Sequence, residues 1–232
     1  MTYNAALQLQ QIVNSLISEV VFGRTHLKLA KAIRTADPAV VHTARTFFGL
    51  THDAHINAAL MYAAKLHDKS HGTITIRSAL DAAQRVAGTF VHATAENVRK
   101  ILSLAEAQLS QFERTLSAIE ARRNQYLAHL DPKMVLDPTE IDAQATITID
   151  ELDSLFVETG NILNDISQTH HGVFSGLELI DADDYENALR LIAEAKCAQA
   201  DEYEEEFKEP WPHERPQICR AEKRATVAGE VK

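Results

Sequence analysis

Apolar residues recur at intervals of three and four over most of this chain, the spacing that keeps side chains on one face of an α-helix. Leu7, Leu9, Ile12, Val13, Leu16, Ile17 and Val20 set out a first amphipathic helix over about 4–22. Gly23 is expected to bend or interrupt it before a second stretch from His26 to Ala36. Asp37-Pro38 reads as a helix start, with the aspartate as cap and the proline at the first helical position. From there a long, nearly unbroken helix is expected to reach about Leu66, its apolar face including Val40, Val41, Phe47, Phe48, Ile56, Leu60 and Tyr62. The polar, punctuated run from Lys65 to Gly72 is a loop, and Thr75 can cap a short helix from Ile76 to Val86. After Gly88 a very long helix is predicted from about His92 to Leu130. Pro132 and Pro138 break the pattern that follows. The alternating ATITI of 145–149 is too short to make a sheet without a partner strand. Thr148 to Glu151 has the spacing of a capping box in front of a helix over about 152–169. His170 to Gly176 is a turn, and the last helix spans about Asp181 to Phe207. The sum is an all-α bundle of roughly five to seven helices over 1–207. A charged tail, interrupted by Pro210, Pro212 and Pro216, occupies 208–232 and is expected to be loose.

One position breaks the stripe of the long central helix. Leu109, Phe112, Leu116 and Ile119 are followed by Arg123 where the next apolar residue belongs, and Tyr126 and Leu130 then resume the series. A guanidinium does not lose its charge on burial, so facing a protein interior it must find a partner. It is cheaper where the stripe opens onto a cleft or a subunit boundary. Arg122 precedes it, and His129 lies seven residues beyond Arg122, nearly superposed on the helix surface. Two guanidinium groups, the Asn124 amide, the Tyr126 phenol and the His129 imidazole thus fall within about two turns.

Composition narrows what this cluster can serve. The 232 residues carry a formal net charge of −10, which argues against an extended nonspecific nucleic-acid surface and leaves room for a small positive site. Cys197 and Cys219 are two thiols without metal spacing and, with no secretory leader evident, they suggest a reducing, cytoplasmic setting. No apolar run approaches the roughly 18 residues of a membrane span. There is no glycine-rich phosphate loop, no G-x-S-x-G elbow and no cysteine cluster, which removes the commonest routes to ATP use or acyl-enzyme chemistry. Eleven histidines invite a metal, and His52 and His55 in THDAH share a helix face. A metal site needs further converging ligands, and the Glu-x-x-His signature of bundle di-iron sites is absent, so no metal or cofactor is expected.

The Arg122 to His129 cluster carries chemistry of its own. Arginine offers a rigid fork to phosphate oxygens, and histidine exchanges a proton near neutral pH. Together they suit metal-free RNA cleavage: an imidazole takes the 2′-hydroxyl proton, the oxygen attacks phosphorus, and arginine steadies the charge on the non-bridging oxygens. The leaving 5′-oxygen also needs a proton, which a second His129 from a symmetric partner would supply. The plain structural alternative pairs Arg122 and Arg123 with Glu120 or with acids of a neighbouring helix, and leaves His129 to cap the helix end.

The stretch RRNQYLAHLD, 122–131, resembles the signature of the HEPN superfamily, in which an arginine, commonly followed by a polar residue, precedes a histidine with four to six residues intervening; Arg123, followed by Asn124, has five between it and His129. The surrounding ALMYAAKLHDK, TITIRSAL, TITIDELDSLFVETGNILNDIS and DDYENALRLIAEAK are similar to the abortive-infection U-type branch, over about 10–200. That resemblance implies a helical bundle that dimerises with its motifs face to face, and in many members a metal-independent endoribonuclease of toxin–antitoxin or phage-defence systems. It would make Arg123, Asn124 and His129 the catalytic set. Arg122 and Tyr126 are added on physical grounds as phosphate contact and support. An antitoxin or regulatory protein is the implied further partner. Other members of the superfamily bind nucleotides or proteins without cleaving RNA, and a noncatalytic helical dimer is the competing reading.

Overall fold

Gly23 does not interrupt the first helix. In the computed structural model, which describes residues 2–70, 72–124, 146–179 and 184–219, α1 runs unbroken over Thr2–Thr35. The glycine is there for packing: a Cβ at this position would run into the ring of the fully buried Phe156. Helix breaking and close approach use the same residue type, and only the neighbouring ring tells them apart.

The long helix expected after Asp37 is subdivided. Asp37 does cap it, its Oδ1 accepting from the Ala39 N–H at 2.9 Å, and Pro38 occupies the first turn. But α2 spans only Pro38–Val41, and a 3-10 turn, His42–Ala44, separates it from α3, Arg45–Leu66. The Thr43 hydroxyl donates to the Ala39 carbonyl at 3.1 Å, the kind of local bond with which threonine competes against regular helix. Thr75 opens α4 (Ile76–Arg85) through a reciprocal capping box with Ser78. A further 3-10 turn at Ala87–Thr89 leads to α5 (Ala95–Ser110), capped by Thr94.

The helix predicted from His92 to Leu130 is also divided. At Gln111 and Phe112 the backbone closes three-residue turns, with N–H groups donating to Gln108 and Leu109 carbonyls at 3.1 Å, before α6 begins (Glu113–Arg122). Leu109 and Phe112 both pack against the core on either side of this turn. Leu130, Pro132 and Pro138 lie outside the described residues. Thr148 then starts α7 (Ile149–His171) by the capping box its sequence announces, Thr148 Oγ1 accepting from the Glu151 N–H at 3.1 Å. The last helix, α8, is Asp184–Phe207. Among the described residues there are eight such α-helices and two 3-10 turns and no strand, so the fold is all-α.

The chain divides into two compact units, Met1–Leu27 with Ile56–Leu179, and Lys28–His55 with Ile180–Lys232. In the first, α7 carries eleven buried residues and exposes only Asp150, Ser154, Asn161, Asp165 and Gln168. Leu155, Phe156, Leu163 and Ile166 meet Leu9, Val13 and Val20 of α1 and Val98 of α5 in one core. Arg24 ties α1 to Asp153 at 3.0 Å and to the Leu177 carbonyl at 3.2 Å. Asn164 is fully buried and exchanges two hydrogen bonds with the Ser175 backbone, holding the segment after α7 against the helix.

In the second unit Val40, Phe48 and Ala193 form a small core with Ile192 and Ile218 around it. Residues 208–219 are fastened to α8: Arg215 pairs with Asp201 and Glu204 at 2.9 and 2.7 Å, and Trp211 meets Tyr203 edge to face. The Gln217 N–H donates to Asp37 Oδ2, so one carboxylate caps α2 and anchors this segment. These ties bring Cys219 to Cys197, and the two are a disulfide, which corrects the sequence reading of separate thiols.

Two outcomes follow. Gly23→Ala should destabilise the protein by about 1–3 kcal/mol through overpacking against Phe156, measured by denaturant unfolding. Opening the Cys197–Cys219 link, by Cys197→Ser or by reductant, should remove up to about 3 kcal/mol from the second unit; thermal melts with and without reductant check it, and the two treatments should give the same shift.

Candidate functional site

The end of α6 and the end of α3 enclose a cleft of about 270 Å³. One wall is Leu116, Ile119, Glu120 and Arg123; the other is Ala64 and the run from His67 to Ser70 that leaves α3. Ile119 belongs to the buried core, and Arg123, one turn further along the same stripe, lines the cleft with 29 % of its side chain exposed. The backbone at Arg123 stays helical (φ −55°, ψ −49°), and a wider π-type turn carries it into Asn124.

Four charged groups line this space. Arg123 Nη1 lies 3.7 Å from Asp68 Oδ1, and Lys69 Nζ lies 3.6 Å from Glu120 Oε2. Asp68 is held from its own side as well: the Ser70 N–H and hydroxyl donate to the same Oδ1 at 3.0 and 2.8 Å. Those bonds first, with the Arg123 charge added, keep the Asp68 carboxyl below its ordinary range. Asn124 takes part through its side-chain oxygen, which accepts from Arg123 Nε at 3.1 Å and fixes one edge of the guanidinium.

His67 stands at the back of the cleft. Its Nε2 is 3.1 Å from Thr159 Oγ1 on the buried face of α7. The single proton of that hydroxyl goes to the Leu155 carbonyl at 2.8 Å, so the imidazole must be the donor and carries its proton on Nε2. Although an edge of the residue remains accessible, burial of the ring pushes its pKa from 6.5 to about 4. It is therefore neutral near pH 7, and its Nδ1 is left as an acceptor with no hydrogen-bond partner among the described residues.

Of the residues the sequence singles out, Arg123 and Asn124 meet at this cleft and Arg122 sits half-buried at the end of α6, outside its lining. Tyr126 and His129 lie outside the described residues. His52 bonds its neighbour Asp53 at 3.0 Å, and no group of three or more histidine, cysteine, aspartate or glutamate side chains is placed to hold a metal among the described residues. Sequence reasoning left His67, Asp68 and Ser70 as residues of the polar loop from Lys65 to Gly72. The available signal was the polar run HDKS directly after an apolar helix, since a helix end followed by hydrogen-bonding residues is where a cleft can open.

Comparison with known proteins bears on the whole chain. The family model HEPN AbiU2, described as AbiU2, matches residues 6–217. The chain belongs to the HEPN AbiU2 family. No curated protein and no solved structure is significantly similar to it. Within this HEPN AbiU2 chain the match runs through every described helix, and thus through both walls of the cleft and the helix that backs it.

The depressed His67 pKa gives a pH dependence of definite sign. The folded protein keeps the ring neutral where the unfolded chain protonates it, so the contribution is complete above about pH 6.5 and is lost as pH falls toward 4. Stability of the wild type should therefore fall more steeply over that interval than stability of His67→Gln, by at most about 3 kcal/mol. Urea midpoints taken at a series of pH values would show it, and parallel curves for the two proteins would refute it.

Proposed function

We propose that this protein is a metal-independent endoribonuclease acting as a symmetric dimer, with Arg123, Asn124 and His129 as its reacting set. The observation that carries the reading is the position of Arg123: a cation on an otherwise apolar stripe, at the wall of a cleft, with Asn124 steadying its guanidinium and His129 five intervening residues along the chain. Membership of the HEPN AbiU2 family supports it. No helix among the described residues is long and apolar enough to cross a membrane.

In this scheme one His129 removes the proton of a ribose 2′-hydroxyl, the oxygen attacks the adjacent phosphorus, and the bond to the 5′-oxygen breaks. His129 of the second copy gives that oxygen its proton. Arg123 receives the charge that gathers on the non-bridging oxygens, and Arg122 and Tyr126 support the phosphate. The products are a 2′,3′-cyclic phosphate and a 5′-hydroxyl. Single-stranded or looped RNA fits best, because in-line attack needs a backbone free to rotate. Toxicity to the host cell, or defence against phage, with an antitoxin or other regulator as restraint, is the biological role we attach to it.

A second reading has its own support. Arg123 is paired with Asp68, and the pairs of Lys69 with Glu120 and Arg123 with Asp68 leave the four charges balanced. A noncatalytic dimer that binds a nucleotide or a protein would need no more than this.

Incubating the purified protein with total cellular RNA in the presence of a chelator separates the two. Wild type should yield cyclic-phosphate ends, and Arg123→Ala and His129→Ala should each lower the rate by about 10²-fold or more while keeping helical content and dimer mass. Equal cleavage by wild type and His129→Ala, or a strictly monomeric protein that still cleaves, would sink the dimeric scheme.

A further inference from the structure

We infer that His67 is a substrate-contacting residue of the same cleft, its Nδ1 accepting a hydrogen bond from a ribose 2′-hydroxyl of single-stranded RNA, so that it discriminates RNA from DNA. The inference rests on RNA being the ligand of the cleft, as proposed above, and adds a residue outside the arginine–histidine signature.

The geometry supports it in three steps. First, His67 and Arg123 line one cleft of about 270 Å³, so a nucleotide whose phosphate met the guanidinium would bring its sugar into the space that His67 also borders. Second, the tautomer is fixed from behind: Thr159 spends its only proton on the Leu155 carbonyl and takes the proton of His67 Nε2, which leaves Nδ1 bare. Third, burial keeps the ring neutral throughout the physiological range, so that acceptor is never filled by a solvent proton. A fixed acceptor beside a phosphate-binding cation matches a ribose hydroxyl, the one donor that RNA has and DNA lacks. Asp68 Oδ1 is already shared between Ser70 and Arg123, and Glu120 is turned to Lys69.

A structural role for His67, as a simple tie between the end of α3 and α7, makes the opposite demand on the ring. It uses Nε2, whereas substrate recognition uses Nδ1. The two nitrogens can be replaced one at a time. Glutamine places an amide N–H where Nε2 stands and removes the acceptor at the nearer position; asparagine keeps an oxygen at the Nδ1 position and gives up the bond to Thr159.

The test is binding of a short labelled single-stranded RNA and the DNA of the same sequence, in chelator, to full-length His129→Ala protein, which holds substrate without cutting it. The parent should prefer RNA by about ten-fold, the worth of one hydrogen bond. Adding His67→Gln should bring that preference close to one while leaving the thermal midpoint at neutral pH unchanged. Adding His67→Asn should retain most of the preference despite a lower midpoint. Retained preference in the glutamine protein, or loss in the asparagine protein alone, would overturn the role of Nδ1 while leaving the ribonuclease reading to its own cleavage assay. Failure of the parent to bind either strand would overturn both.

Discussion

A helix buried on nearly every side sets the terms for the first unit. α7 has only a narrow solvent strip, so every polar group on the remaining surface must be satisfied inside the protein or cost on the order of 1–3 kcal/mol. The buried polar side chains meet that demand partly within α7 and partly on the segments packed against it. Asn164 takes both polar atoms of Ser175, Ser167 meets His171 at 3.3 Å, and Thr159 turns one bond to Leu155 and the other to His67. The Thr159 case matters most, because it fixes a ring that stands in the wall of a cleft. Core packing thereby determines which nitrogen of a solvent-reachable imidazole carries a proton. Gly23 belongs to the same constraint, since α1 can close on α7 only where a missing Cβ admits the Phe156 ring.

Charge at the cleft is set by a short stretch of chain. The whole protein carries −10, yet the cleft holds two cations and two carboxylates, with a neutral histidine between them. A small balanced site can sit on an acidic molecule because charges more than about 8 Å away are largely screened at physiological salt. Overall charge therefore governs nonspecific encounter, and the geometry of Arg123 and its neighbours governs what binds at that point. Two copies facing each other would double the guanidinium density without altering the total character of either surface.

How much of this could be read from the sequence follows from which forces act locally. Thr75, Thr148, Asp37 and Pro38 announce helix starts because a cap is a bond to the next three residues, and all behave as the pattern predicts. The breaks at His42–Ala44 and at Gln111–Phe112 carry no glycine or proline; they reflect where Leu109, Phe112 and the Val40 cluster must point, which is a tertiary demand. Gly23 was misread for the same reason, since its ring neighbour is 133 positions away in sequence. Arg123 was legible as an anomaly of periodicity, and its cleft follows from that anomaly. Asp68 and His67 were not, because a loop residue shows its role only when the facing helix is known. The pairing of Cys197 with Cys219 needed Arg215 and Asp37 to fold the following segment back along α8.

The pair between Arg123 and Asp68 looks at first like evidence that the arginine is spoken for. Its geometry argues otherwise. At 3.7 Å, with about a quarter of each side chain exposed, it is a long and partly solvated contact of the kind worth roughly 0–1 kcal/mol. A phosphate that takes the guanidinium by two charge-assisted bonds offers about 1.5–3 kcal/mol for each. The usual penalty for breaking an ion pair, an orphaned carboxylate, does not arise here, because Ser70 continues to donate both its N–H and its hydroxyl to Asp68 Oδ1. Under the proposed function, Asp68 would orient Arg123 while the cleft is free and release it at little cost to an incoming phosphate. A partner of that kind is compatible with a working phosphate site, whereas a buried bidentate pair in its place would have argued for a purely structural arginine.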